Sequence, residues 1–155
     1  MTAKETTSFV YVTYIQSTPD KVFEAIIRPE LARRYWGHEN VSEWQPGSRW
    51  EHIRANDDRT VELVGKVIEI NPPKRLVMTW TNASQEADPD SYSRVTFEVE
   101  EYEDMVRLTV SHDDLLAGGG MAKGVSRGWP LVLSSLKSFL ETGRALDVFA
   151  KPKAA

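Results

Sequence analysis

Gly128-Trp129-Pro130-Leu131-Val132-Leu133-Ser134-Ser135-Leu136-Lys137-Ser138-Phe139-Leu140-Glu141-Thr142-Gly143 is the stretch that decides the fold of this 155-residue chain. Trp129, Val132, Leu133, Leu136, Phe139 and Leu140 follow one another at three- and four-residue steps, which on a helix stacks them into one stripe. Ser134, Ser135, Lys137, Ser138 and Glu141 fall between them. The spacing predicts a long amphipathic helix, ended by Gly143 in the left-handed cap conformation. Pro130 is tolerated only in a first turn. The helix therefore begins near Gly128, or a preceding turn over 121–127 joins it with a kink.

Working back from the helix, the rest of the chain must supply a surface to bury the stripe. Met105 to His112 and Tyr92 to Glu101 alternate strictly: Val106, Leu108, Val110 and His112 on one face of the first, Ser93, Val95, Phe97 and Val99 on one face of the second. That is the pattern of antiparallel strands with one covered face. Arg75 to Thr81, Thr60 to Asn71 and Ser48 to Ala55 read as three further strands, parted by Asn71-Pro72-Pro73 and Asn56-Asp57-Asp58. Within Thr60 to Asn71 the apolar set changes register, and a bulge or bend near Gly65 would reconcile the halves. Asn82 to Ser91 and Leu115 to Gly120 read as loops. Phe9 to Ile15, apolar or aromatic at most positions, reads as a first strand covered on both sides. After it Ser17-Thr18-Pro19-Asp20 starts a helix, and Pro29 to Trp36 makes a second.

The sum is α+β: an antiparallel sheet of six strands curled around one long C-terminal helix, with two short helices between strands 1 and 2. One domain spans 1–155, its core running from about residue 9 to 146, with loose tails before it and over 147–155.

Composition removes several classes of function. The net charge of −4 and the lack of a Lys/Arg run exclude a nucleic-acid surface. The absence of cysteine excludes disulfides, thiolate metal sites and cysteine nucleophiles. No apolar run reaches a membrane span and the N-terminus has no signal-peptide core, so a cytoplasmic protein without membrane insertion is expected. Ser111-His112-Asp113-Asp114 is not a catalytic triad, because strand neighbours point to opposite faces. His38, His52 and His112 are too scattered for a zinc site, and Gly118 to Gly124 lacks the Gly-Lys-Ser/Thr order of a phosphate loop. Neither a metal nor a cofactor is expected, and no catalytic residue is assigned.

The order of elements, with Ser17-Thr18-Pro19-Asp20-Lys21-Val22-Phe23, the Pro46-Gly47 turn, Glu69 to Leu76, Ser93 to Glu98, Leu108 to His112 and Gly128-Trp129-Pro130, resembles the START-like superfamily, also called SRPBCC or Bet v 1-like. The resemblance is to the branch named after the C-terminal domain of the activator of the heat shock protein 90 ATPase, and it covers about Phe9 to Leu146. It implies a helix-grip fold, often with an apolar cavity between sheet and helix for a hydrophobic small molecule. Family members include binding proteins, chaperone regulators linked to stress response, and a minority of enzymes. The chaperone activator carries a further large N-terminal domain for which 155 residues leave no room, so chaperone contact ranks behind ligand binding. The chain would act as a monomer or homodimer.

Five tryptophans are many for this length. They fill the core, or some of them line a cavity. Trp50, Met78, Trp80 and Phe97 would face it from the sheet, Trp129, Leu133 and Leu136 from the helix, and Trp36 and Trp44 would border its mouth. The polar candidates are His52, Arg94 and His112, with Glu51 or Tyr35 beside them; Arg94, on the parity opposite Val95 and Phe97, faces solvent by default. Three functions follow: a hydrophobic-ligand binder, a protein-interaction module, or an enzyme on a hydrophobic substrate with a histidine as acid or base.

Overall fold

The computed structural model describes residues 5–56 and 58–150, the side chain of Ala150 apart. The order is β1 (Thr6–Ile15), α1 (Pro19–Ile27), α2 (Pro29–Trp36), β2 (His38–Ser42), β3 (Arg49–Arg54), β4 (Val61–Asn71), β5 (Arg75–Asn82), β6 (Ser93–Tyr102), β7 (Met105–Leu116), α3 (Gly120–Thr142) and α4 (Asp147–Ala150). The strands form one sheet, β1-β7-β6-β5-β4-β3-β2, antiparallel at every pairing. Helix α3 packs its stripe on the concave face, and the fold is the expected α+β helix grip.

The sheet has seven strands, not six. The addition is β2, whose sequence His38-Glu39-Asn40-Val41-Ser42 offers no apolar alternation. Its first three residues are nonetheless buried, because polar partners rather than apolar packing hold them. Asn40 Nδ2 donates to the Ile26 carbonyl at 2.9 Å, and the Tyr35 hydroxyl donates to the Ala25 carbonyl at 2.9 Å. Both carbonyls lie in the last turn of α1, where intrahelical donors run out. Strand β2 is thus tied to α1, and α1 to α2.

Three register shifts curve the sheet, at Thr7/Phe9, His52/Ile53 and Val67/Glu69. The bulge expected near Gly65 falls at Ile68, which is turned outward. Gly65 has a different task. A Cβ there would stand 1.9 Å from the Thr79 carbonyl oxygen and 2.6 Å from Trp50 Nε1. Trp50 Nε1–H donates to that oxygen at 2.7 Å, so the indole of a wholly buried tryptophan crosses β4 where the strand carries no side chain.

Other boundaries move as well. Strand β7 continues through Leu116, so the expected loop shrinks to 117–119, and α3 begins at Gly120 and runs 23 residues with Pro130 inside it. Proline there removes one rung, to the Ser126 carbonyl, without ending the helix. Strand β1 is covered on one face only: Val10, Val12 and Tyr14 are exposed. The segment 83–91 contains two short 3-10 turns. The C-terminal segment is not all loose, since 147–150 form a helical turn with Phe149 packed against the core. The remaining tail residues, 1–4 and 151–155, and Asp57 of the expected turn, lie outside the described residues.

The Gly65 contact makes a direct test. Gly65→Ala must push the Thr79 backbone or the Trp50 indole aside, and overpacking of that kind costs about 3 kcal/mol. Urea unfolding followed by tryptophan fluorescence should show that loss, and an unchanged midpoint would contradict the packing described.

Candidate functional site: a tryptophan-walled cavity

Between the N-terminal half of α3 and the β4–β5 end of the sheet lies a cavity of about 350 Å³. Trp36, His52, Leu63, Trp80 and Asn82 form one side of it. Gly120, Met121, Gly124, Val125, Gly128, Trp129 and Val132 form the helix side. The three glycines are spaced four apart and share one helix face. A Cβ added to any of them meets nothing within 4 Å. The hollow opens to solvent along this face, where α3 presents exposed Gly120 and Gly124 and half-buried Gly128 in place of the Leu133, Leu136 and Phe139 of its C-terminal half. Larger hollows elsewhere, of about 600 Å³ beside Lys74, Arg75 and Glu98 and of about 550 Å³ beside Asp90 and Asp114, are bordered by charged residues.

Of the twelve residues expected to face a cavity, four do: Trp36, His52, Trp80 and Trp129. Trp50, Met78, Phe97, Leu133 and Leu136 are buried in the core instead. Tyr35 stacks on Phe139 at 6.0 Å with its hydroxyl spent on α1. Trp44 sits in a left-handed turn at φ 56° and packs on the core without reaching the cavity. Leu63, Asn82, Met121, Val125, Val132 and the glycines were not expected. The one sequence signal for them is the Gly120, Gly124, Gly128 spacing, which extends the helix stripe backwards as a gap.

His112, behind this wall, and His52, within it, are held differently. Around His112, Trp129 Nε1–H donates to Nδ1 at 3.1 Å. Ser93 Oγ–H is directed to the Trp80 carbonyl at 3.1 Å, so Ser93 Oγ accepts from His112 Nε2–H at 2.7 Å. Both ring nitrogens are engaged and the ring is neutral. An acid or base role for His112 would require breaking a bond inside the core.

His52 is engaged on one side only. Asn40 Nδ2 serves the Ile26 carbonyl, so Asn40 Oδ1 accepts from His52 Nδ1–H at 2.7 Å. Nε2 is left as a bare lone pair, with no hydrogen-bond partner among the described residues. His38 stacks on His52 with ring centroids 4.3 Å apart and planes 7° from parallel. The two nitrogens of His38 meet the Trp36 carbonyl at 3.1 Å and the Glu62 carboxylate at 3.0 Å. Both partners of His38 are oxygen acceptors. Burial first, and the His38 charge second, push His52 well below the usual histidine range. Partial burial draws the Glu62 carboxyl upward, but His38 and Arg54 outweigh it and hold the group low. Within the wall itself, Trp80 Nε1–H is buried and finds no acceptor.

No lining residue carries a charge, and among the described residues no three His, Asp or Glu side chains converge to hold a metal ion. Among the described residues no helix is long and apolar enough to cross a membrane. What the site offers is aromatic surface and one bare acceptor, His52 Nε2.

Residues 16–141 match the model of the family described as Activator of Hsp90 ATPase homolog 1-like protein. The chain belongs to that family. Its structural relatives agree with the fold. The Aha1 dimer from Colwellia psychrerythraea is 19% identical, with 90% of this chain and 99% of that one covered at a TM-score of 0.74. Protein MLL2253 from Mesorhizobium loti is 26% identical, with 86% and 96% covered at a TM-score of 0.72. PFC0360w, an HSP90 activator from Plasmodium falciparum, is 20% identical, with 79% and 86% covered at a TM-score of 0.63. Among curated proteins none matches the sequence. At these identities the likeness carries the START-like fold of the family and leaves the site to be argued from its own residues.

The His112 network sets a pH dependence. Burial pushes the ring from 6.5 down to about 4, against a small opposing pull from Asp113. The unfolded chain gains a proton as pH falls through 6.5 while the folded chain does not, so stability is full above pH 6.5. It is lost between 6.5 and about 4, by up to about 3 kcal/mol from this ring. His52 acts in the same direction. His112→Phe should cost about 1–3 kcal/mol at pH 7, since Trp129 N–H loses its acceptor. It should also flatten the stability profile between pH 6.5 and 4. Urea midpoints measured across that range for both proteins check this, and parallel profiles would refute it.

Proposed function

We propose that the chain is a binding protein for a hydrophobic small molecule held between the sheet and α3. The observation that carries this reading is the uncharged, tryptophan-walled cavity kept open by glycines. Gly-to-Ala changes in a helix interior stabilise by about 1 kcal/mol, and at Gly124 and Gly128 nothing nearby obstructs a Cβ. Helix propensity favours alanine there, so the bare backbone is retained at a cost to stability. Its volume of about 350 Å³ lies at the small end of the range for ligand sites, about 300–1,000 Å³, and apolar walls with few polar groups are the usual composition.

A second reading, an Hsp90-associated module, is favoured by the family and by the relative described as an HSP90 activator. The exposed Val10, Val12 and Tyr14 on β1, with Tyr102 beside Tyr14, offer it an apolar surface. A changed ATPase rate of purified Hsp90 on addition of the chain would support that role. The same fold accommodates a homodimer, as the Colwellia relative forms one.

The cavity reading is tested by filling it. Biphenyl should quench or shift the tryptophan fluorescence of the native chain and appear as a 1:1 complex in native mass spectrometry. Gly128→Leu should abolish both signals while the thermal midpoint stays the same or rises. Undiminished binding in that variant, or no binding by the native chain, would overturn the reading.

A further inference from the structure

We infer that the cavity selects neutral aromatic molecules carrying a hydrogen-bond donor, an O–H or N–H that donates to His52 Nε2. The inference rests on the cavity being a ligand site and adds the chemical class of the ligand. Asn40 decides which nitrogen of the ring is bare. The Ile26 carbonyl can only accept, so the Asn40 atom facing it is the amide nitrogen and the atom facing His52 is Oδ1. Nδ1 therefore carries the proton, and Nε2 keeps a lone pair with no partner among the described residues. Burial of the ring holds it neutral. The lone pair is also within reach of a ligand. Among the described residues, the buried polar atoms that are both unpartnered and sealed from water are Trp80 Nε1 and Arg107 Nε. His52 Nε2 is not one of them, although its residue is only 3% exposed, so water touches that nitrogen. His52 borders this cavity and none of the hollows beside Lys74, Asp90 or Lys66, so the lone pair opens here.

Candidate ligands separate on this one acceptor. A hydrocarbon that displaces water from Nε2 leaves a buried acceptor unmet. An ether or ketone brings a second acceptor against the first. A carboxylate does the same with a full charge, and no Lys or Arg lines the cavity to balance it. An ammonium group donates, but no Asp or Glu in the lining offsets its charge. A phenolic hydroxyl or an indole-type N–H donates without carrying charge. The walls contributed by Trp36, Trp80 and Trp129, with Trp36 to Trp129 centroids at 5.6 Å and Trp80 to Trp129 at 5.5 Å, suit a flat ring system. The His52 ring is 4.6 Å from that of Trp36 and 6.0 Å from that of Trp80, centroid to centroid, so a ring lying against those walls lies beside the imidazole. The volume suits one or two rings rather than a long acyl chain.

The test uses the full chain and a series built on one ring system at pH 7.5: 2-naphthol, naphthalene, 2-methoxynaphthalene, 2-naphthoate and 2-naphthylmethylamine. Titration is followed by the ring-nitrogen resonances of the ¹⁵N-histidine-labelled protein, with the His52 signals assigned by their loss in His52→Phe. 2-Naphthol should bind about tenfold tighter than naphthalene or the ether, as one neutral hydrogen bond made in place of an unmet acceptor provides. Nε2 should resonate further upfield, towards a protonated ring nitrogen, in the naphthol complex than in the other two. His52→Phe keeps a ring of similar size and should erase the preference for naphthol over the ether. Should that variant fail to fold, the affinities and the Nε2 resonance of the native chain decide, with the His52 signal assigned through its contact with Asn40. Equal affinity for naphthol, naphthalene and the ether overturns the inference while apolar binding stands, and so does a preference for naphthol that leaves Nε2 unmoved or survives in folded His52→Phe. Tightest binding of the naphthoate or of the amine overturns it in favour of a charged ligand. If none of the series binds but biphenyl does, the acceptor assignment is wrong and the cavity reading survives; if biphenyl fails as well, both fall.

Discussion

Helix α3 meets the concave sheet with large side chains along its C-terminal half and with Gly120, Gly124 and Gly128 along its N-terminal half. That asymmetry within one helix governs what the rest of the chain can do. Leu133, Leu136 and Phe139 weld the helix to the sheet and to α2, and Ser135 Oγ–H clamps the join by donating to the Tyr35 carbonyl at 2.7 Å. A fully buried leucine or phenylalanine contributes about 1.5–3 kcal/mol, so this half alone can hold the helix in place. The glycine half is then free to stand away from the sheet. The cavity is the space left where the two surfaces are held close by contacts made elsewhere.

The same division runs through the polar interior. His112, under the helix, is locked between Trp129 and Ser93, and the relay ends on the Trp80 carbonyl. Such a fully satisfied chain fixes side chains in place, because each lost link would leave a buried group unpaired. It therefore positions Trp80 and Trp129, the two rings that shape the cavity. His52, nearer the mouth, has its tautomer fixed from behind by Asn40 and nothing in front. The difference between a structural and an available histidine lies in the second ring nitrogen, not in burial, which is nearly complete for both.

Much of this architecture was legible from residue patterns. The three- and four-step spacing from Trp129 to Leu140 and the strict alternation of β6 and β7 are strong periodic signals, and both elements stand where those signals put them. Strand β2 was not legible because its burial comes from hydrogen bonds and ion pairs, Asn40 to α1 and Glu39 to Arg33 and Arg59, which leave no hydrophobic pattern. The N-terminal turns of α3 stayed open between a start near Gly128 and a preceding turn over 121–127, because glycines and Pro130 argue against helix locally; burial of Val125 and Trp129 overrides that preference. At the site, parity along a strand correctly put His112, Trp80 and Phe97 inside, yet parity cannot tell a residue facing a void from one facing another side chain. That distinction needed the partner surface. A cavity made by missing side chains is written in glycines, and Gly120 to Gly128 reads equally well as a hinge.

The electrostatics of the cavity are set from outside it. Glu62 lies partly exposed, paired with Arg54 at 2.6 Å and with His38 at 3.0 Å. His38, the partner it reaches inward, lies flat against His52. Two imidazolium ions at such a distance would repel strongly in a buried setting, so charging one keeps the other neutral. The Glu62 carboxylate thus reaches the hollow indirectly, through His38 stacked on His52, and the His38 interaction adds to burial in keeping His52 neutral. An uncharged cavity in a chain where 27% of residues are charged is maintained by this arrangement as well as by the apolar walls.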